Sequence, residues 1–242
     1  MITKKPVSLT KVAKITDSIP GFLLRSEGKL LYDLAKSCPT HTKIVEIGSW
    51  KGRSTLWLYY GSSSGYNAEI FAIDPHTGSP ELISQFGKRS SLAEFKTNLK
   101  RVGADKLVKP FVMSSENAAK IITYPVSLLF IDGNHSYQSV KQDFEMWFPK
   151  MIINGGIVLH DTIGFPEINE FVRKYIFLSP NIKVIKIVDS IVYGQKVISL
   201  TLNNMLKNRY ILFIHDTCVY LSKHHPPMVL ISFGKYIINK IH

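Results

Sequence analysis

Residues 43–54, KIVEIGSWKGRS, decide how this chain folds. Ile44, Val45 and Ile47 form a short apolar run, Gly48 and Gly52 interrupt it, and Leu56, Trp57 and Leu58 resume it. The pattern predicts a buried strand, a tight turn and the start of a helix. Gly48 opens a backbone conformation closed to other residues and lets a ligand approach closely. Gly52 lets the helix lie near the strand, and the free N–H groups of its first turn face whatever the turn holds. Such turns bind nucleotide-like ligands; they also join strands to helices for structural reasons alone.

Working outward, residues 1–18 read as a polar lead-in, Pro20-Gly21 as a turn, and Phe22 to Lys36 as a helix with Leu23, Leu24, Leu30, Leu31 and Leu34 near helical spacing. Downstream, GSSSGYN (61–67) is a loop and EIFAID (69–74) a second strand ending on Asp74. An acidic residue at that strand end can accept both hydroxyl protons of a ribose, or can simply be solvated. Residues 75–90 form a long loop, the length typical of a functional lid. Ser91 to Val102 is a helix with Leu92, Phe95 and Leu99 on one face, and LVKPFVM (107–113) is a strand whose Pro110 places it at a sheet edge. Ser114, Ser115 and Glu116 start another helix, where a hydroxyl and a carboxylate can meet an adenine edge or serve only as a cap.

VSLLFID (126–132) is the most apolar strand and ends on Asp132, followed by Gly133-Asn134-His135 and a helix through Phe148. Asn154-Gly155-Gly156 reads as a turn, and the strand after it ends on His160-Asp161. Glu167 to Leu178 is a helix, and 182–188 with 191–197 form a hairpin about Asp189-Ser190. Strands that alternate with helices make a parallel sheet, which binds ligands at the carboxyl ends of its strands. Glu46, Asp74, Asp132, His160 and Asp161 therefore converge on one crevice. The fold class is α/β, Rossmann-like, with residues 1–198 as one domain and 199–242 as a C-terminal extension. The extension is apolar and mostly basic, suited to a partner, a membrane surface, a homodimer contact or an enlarged core.

The 242 residues, 45% hydrophobic and 20% charged, suit a globular chain with a substantial core. Cys38 and Cys218 have no CxxC spacing, so neither a disulfide framework nor a cysteine zinc site is implied. With no signal-like apolar core near the start and no apolar run of roughly 18–20 residues, the expected location is cytoplasmic. The formal charge of +12 is scattered among lysines without interleaved aromatics, which argues against nucleic acid as a partner.

VEIGSWKGRST, FAIDPHTG, AEFKTNLK, VMSSENAA, LLFIDGNHSY and GGIVLHDT, taken together, resemble the class I S-adenosylmethionine-dependent methyltransferases, in particular the small-molecule O-methyltransferase-like, methyltransferase-domain branch. The resemblance spans about residues 19–197. It implies a seven-stranded mostly parallel sheet in the order 3-2-1-4-5-7-6. It implies that Glu46, Gly48, Ser49, Gly52 and Ser54 hold the methionine and ribose portion of S-adenosylmethionine, that Asp74 takes the ribose hydroxyls with His76 beside it, and that Ser115 and Glu116 lie near adenine. Asp132 would border the same cofactor. Asp132 and Asp161 match positions that hold a divalent metal such as Mg²⁺ in catechol-type relatives. Two departures stand out: Thr162 where that group has asparagine, and His160 before Asp161, which adds an imidazole to a metal set of Asp132, His160 and Asp161. His135, His160 and Asp161 are the catalytic candidates, with either imidazole a metal-free base or a histidine satisfied by structure alone. The expected reaction is methyl transfer to a hydroxyl of a small molecule or glycan. The alternatives are an NAD-dependent oxidoreductase, which the missing GxGxxG spacing disfavours, and a non-catalytic cofactor-binding scaffold with an interacting tail.

Overall fold

The structure, a computed structural model, describes residues 7–78, 83–84, 87 and 90–224. Half of the expected lid at 75–90 lies outside the described residues, as does the end of the extension from 225 onward.

In chain order the main elements are α1 (Leu9–Asp17), α2 (Arg25–Lys36), β1 (Lys43–Ile47), α3 (Arg53–Ser63), β2 (Glu69–Ile73), α4 (Leu92–Val102), β3 (Val108–Phe111) and α5 (Ser115–Ile121). They continue as β4 (Val126–Ile131), α6 (Tyr137–Trp147), β5 (Met151–Leu159), α7 (Pro166–Val172), β6 (Ile182–Val188), β7 (Ile191–Lys196) and α8 (Leu202–His224). One seven-stranded sheet runs β3-β2-β1-β4-β5-β7-β6, the order the resemblance implied. The β1, β2, β3, β4 and β5 pairings are parallel, and β7 is antiparallel to both neighbours. Pro110 sits on edge strand β3, where its missing N–H costs no ladder bond on the open side.

Period-two alternation divides the strand residues between two apolar layers. Ile44, Ile70, Leu128, Phe130 and Val158 face α1, α2, α3 and α4. Val45, Ile47, Leu129, Ile131, Ile157 and Leu159 face α5, α6, α7 and α8. α2 lies unusually close to α3: a Cβ on Gly28 would fall 2.3 Å from the Trp57 ring, and one on Gly61 would fall 2.2 Å from the Tyr32 carbonyl oxygen. That approach sets α2 at the height where Glu27 reaches the sheet.

Two expectations are corrected and a third is refined. The lead-in is a helix from Leu9 to Asp17, capped by Ser8, with Val12, Ala13 and Thr16 buried against α3; its lysines lie on the outer face and hid the apolar one. Asn154-Gly155-Gly156 is not a turn before the strand but part of β5 itself. Met151 already pairs with Val126, and Leu128 next pairs with Gly156, so residues 152–155 bulge out with Asn154 at φ +66°. Lys196 Nζ, donating to the carbonyls of Phe148 (2.9 Å) and Met151 (2.8 Å), holds that early stretch in place. The helix expected over Glu167 to Leu178 is α7 followed by a π-helical turn, Arg173–Phe177.

The described part of the extension, α8, packs on β6. Buried Asn208 accepts from the Val184 N–H (2.9 Å) and donates to the carbonyls of Ile182 (2.8 Å) and Phe177 (3.3 Å), while Ile211 and Leu212 join the core. Leu206, Tyr210, Phe213 and Tyr220 remain exposed on it. No helix among the described residues is long and apolar enough to cross a membrane.

Candidate active site

The glycine turn is built where three strands end together. Gly48 N–H donates to the Ile73 carbonyl of β2 (2.9 Å), and Asp132 N–H donates to Ile47 of β1 (2.8 Å). Gly48 has φ +89°, and a Cβ there would lie 2.0 Å from the Asp132 carbonyl oxygen, so only glycine fits. Gly52, at φ +88°, precedes the first residue of α3. Between them Ser49 is buried, and its hydroxyl has no hydrogen-bond partner among the described residues. A buried, unpartnered hydroxyl in a glycine turn suits a polar ligand group.

Glu46 points from β1 to the α3 side and is fully buried. Its carboxyl accepts from Ser54 (2.6 Å) and Thr55 (2.5 Å), tying the strand to the helix's first turn. Burial, against the pull of those two hydroxyls, pushes its pKa up to about 8. Asp74 holds the other side of the turn: Oδ2 accepts from Trp50 N–H (2.7 Å) and Oδ1 from His76 N–H (2.6 Å). Each oxygen keeps a lone pair for a ribose hydroxyl. His76 is buried beside it at φ +54°, with Nδ1 2.9 Å from Ser91 Oγ and its ring against Phe95. Ser115 accepts from the Trp147 indole N–H (2.8 Å), whereas Glu116 is exposed and paired with Lys120 at 2.6 Å; the cap itself is Ser114.

The ends of β4 and β5 bring together Asp132, His135, His160 and Asp161. His160 is buried in the centre, 4% exposed. Its Nδ1 lies 3.1 Å from Asp132 Oδ1 and 3.1 Å from Asp161 Oδ2, between the two and in line with neither. Its Nε2 donates to Glu27 Oε2 at 3.2 Å. Burial opposes a charge on this ring, but the surrounding carboxylates outweigh it and hold the pKa well above that of ordinary histidine. His160 is therefore enclosed by three carboxylates, which favour its charged form. Asp132 and Asp161 are pushed apart in pKa. Burial and the neighbouring Asp161 raise Asp132 against the pull of His160; for Asp161, burial is overcome by the close imidazoles of His135 and His160, and its carboxyl lies well below the usual range.

His135 is the accessible imidazole. Its Nε2 is 3.2 Å from Asp161 Oδ2, and its ring lies against Phe165 with centroids 3.9 Å apart. Ligand-capable atoms of Asp132, His135 and Asp161 lie within 4.8 Å of one another. The nitrogen in that trio belongs to His135, because both nitrogens of His160 are already turned to carboxylates. Thr162 is absent from it as well. It is buried, its N–H (2.9 Å) and Oγ1 (2.8 Å) donating to the Ser190 carbonyl, and its own carbonyl faces His215 Nε2 at 3.1 Å. Burial pushes that α8 histidine down to about 4.

The ends of β4 and β5 thus bring Asp132, His160 and Asp161 together, Asp74 holds the glycine turn, and Glu46 lies buried behind that turn. Glu27, Thr55 and Ser190 were missed. Thr55 follows Ser54 and was legible as a second hydroxyl in the helix's first turn; the other two carry no motif.

Residues 45–162 match the model of a methyltransferase-domain family. An uncharacterized protein of Sinorhizobium fredii, y4gI, is 31% identical over 121 residues, which are 50% of this chain and 13% of that protein, so the chain spans only a small part of this relative's length. Among solved structures, S-adenosylhomocysteine-bound methyltransferase PaMTH1 of Podospora anserina is similar with TM-score 0.57 and 21% identity, covering 78% of this chain and 87% of that one. The O-methyltransferase TomG of Streptomyces achromogenes, in complex with S-adenosylmethionine, is similar with TM-score 0.57 and 16% identity over 81% of this chain and 92% of that one. These two likenesses are of fold. The family match takes in the glycine turn and both site strands, and the sheet has the strand order of the class I S-adenosylmethionine-dependent methyltransferases, so residues 45–162 carry the signature of a methyltransferase domain on that fold.

Proposed function

We propose that this protein transfers a methyl group from S-adenosylmethionine to a hydroxyl of a small molecule or glycan, with His135 as general base. The observation that carries the reading is the His135–Asp161 pair standing at the open side of a buried, carboxylate-ringed His160, next to the glycine turn. The O-methyltransferase named above supports the choice of oxygen as acceptor.

S-adenosylmethionine, when bound, supplies a methyl on a sulfonium: the acceptor oxygen bonds to that carbon, and the electrons of the broken carbon–sulfur bond return to sulfur. The turn residues fit it. Unpartnered Ser49 Oγ receives its polar amino-acid end, and Asp74 keeps one acceptor site per oxygen for the ribose. Glu46 does not reach outward, since Ser54 and Thr55 occupy it; it locks the first turn of α3 behind the ligand. On the acceptor side, Asp161 takes a hydrogen bond from His135 Nε2–H, which leaves Nδ1 of that ring free to accept the hydroxyl proton. Phe165 limits the tilt of the ring. His160 is too enclosed to meet an acceptor; its role is to keep Asp132 and Asp161 ionised and in place.

A second reading is metal-assisted. Asp132, His135 and Asp161 offer two oxygens and one nitrogen close enough to share an ion. This mixed set suits a borderline divalent cation better than Mg²⁺, which prefers oxygen. Such an ion would bind an acceptor oxygen and lower its pKa. Transfer of labelled methyl to a panel of hydroxylated acceptors, run with and without EDTA, tests both. Turnover that survives EDTA supports the imidazole base, turnover restored only by a divalent ion supports the metal, and no turnover on any hydroxyl acceptor refutes oxygen methylation.

A further inference from the structure

Glu27 lies on α2, outside every motif that marks the site, yet it is 1% exposed and its carboxylate accepts four hydrogen bonds. Oε2 accepts from Leu24 N–H (2.8 Å) and His160 Nε2 (3.2 Å); Oε1 accepts from Ser190 N–H (3.0 Å) and Ser190 Oγ (2.7 Å). Capping α2 accounts for the Leu24 bond alone. The other three cross to the end of β5 and to the β6–β7 turn, and neighbouring Ser26 adds a hydrogen bond to Asp189 of that same turn.

These bonds close a ring. Glu27 holds Ser190, the Ser190 carbonyl holds both donors of Thr162, Thr162 follows Asp161 and His160 in the chain, and His160 returns to Glu27. Asp161 sits inside the ring at φ +58°, a left-handed backbone that aspartate tolerates better than most residues and that the bonds on either side of it hold in place. The same residue orients His135.

We propose that Glu27, acting through His160 and through Ser190–Thr162, is a positioning residue that fixes Asp161 and hence His135 for proton removal. The proposal deepens the methyl-transfer reading and rests on it for its effect on rate. A carboxylate is required because all four partners are donors. An amide of the same shape can accept through one oxygen only and turns an NH₂ group toward the remaining donors.

The test compares wild type, Glu27→Gln and Ser190→Ala in three measurements: S-adenosylhomocysteine calorimetry, steady-state kinetics on the acceptor found active, and ¹⁵N NMR of the histidine rings. Loss of a charge-assisted hydrogen bond in the supporting ring predicts that Glu27→Gln loses roughly 10- to 100-fold in kcat. Its acceptor KM and S-adenosylhomocysteine affinity stay within about 3-fold, since neither ligand touches Glu27. Ser190→Ala, which keeps the backbone donor, loses less. In the NMR spectrum the His160 Nε2–H resonance moves in Glu27→Gln. Wild-type kcat in Glu27→Gln overturns the proposal, as does a kcat loss matched by equal losses in KM and affinity. If Glu27→Gln does not fold, an unchanged kcat in Ser190→Ala overturns it. If wild type transfers no methyl group, the methyl-transfer reading fails separately, and an unmoved His160 resonance still decides against the ring.

Discussion

Replacing Gly48 by alanine strikes the fold and the candidate site at once. A left-handed backbone at an L-residue costs roughly 1–2 kcal/mol, and Gly48 has φ +89°. The added methyl would also sit 2.0 Å from the Asp132 carbonyl oxygen and 2.9 Å from Gly133 Cα, both backbone atoms with nowhere to rotate. Forced overpacking of this kind costs about 1–3 kcal/mol. The total, about 2–5 kcal/mol, corresponds to a fall in Tm of roughly 4–20 °C for a chain of this size. Relief can come only from moving Asp132 away from β1, so S-adenosylhomocysteine binding weakens in the same variant. Gly52→Ala is the matched control: it has a similar φ, +88°, but its Cβ meets the Phe95 ring edge at 3.1 Å, and a ring can shift. Thermal melts and calorimetry on both variants provide the assay. A Gly48→Ala protein that melts with wild type and binds normally, or one less damaged than Gly52→Ala, refutes the reasoning.

Three further outcomes are expected. Glu46 has a folded pKa of about 8 against an ordinary value near 4.5, so its contribution to stability is complete below pH 4.5 and is lost as pH rises through 8; Tm followed from pH 5 to 9 falls more steeply in wild type than in Glu46→Gln, and equal slopes would contradict a buried, proton-holding carboxyl. His135→Ala lowers kcat/KM by about 10²–10⁴-fold, the range for a lost general base, while S-adenosylhomocysteine affinity is kept; a loss of less than about threefold removes His135 from the reaction. Asn208→Ala strips three buried backbone groups of their partner and costs about 2–5 kcal/mol in urea unfolding; a negligible change would make α8 an accessory instead of part of the core.

The sheet was legible because its signals are local. Gly48 and Gly52 punctuate β1 and α3, Pro110 marks an edge, and Asp74, Asp132 and Asp161 each close an apolar run. The gathering of those side chains followed from parallel topology alone. What sequence reading missed depends on distance or on competing signals. Glu27 meets Ser190 across 163 positions and His160 across 133, and no spacing rule reports such a pair. Asn154-Gly155-Gly156 carries turn residues, yet β4 on one side and the Lys196 ammonium on the other hold them in a bulged strand. α1 was hidden by its lysines, although Ser8 and the spacing of Val12 and Thr16 were available to read. The difference between the two histidines also needed coordinates: Glu27, Asp132 and Asp161 enclose His160, whereas His135 stays accessible beside Asp161, which is why it is the proposed base.

The central claim is that the turn from Gly48 to Ser54, with Asp74 beside it, seats a sulfonium donor. Isothermal titration of the purified chain with S-adenosylmethionine and S-adenosylhomocysteine, with NADH as the comparison ligand, measures this directly. One site per chain with saturable heat for both sulfur compounds is expected, with none for NADH and strong weakening in Asp74→Ala. No binding of either sulfur compound at millimolar concentration, or equal binding of NADH, would contradict it.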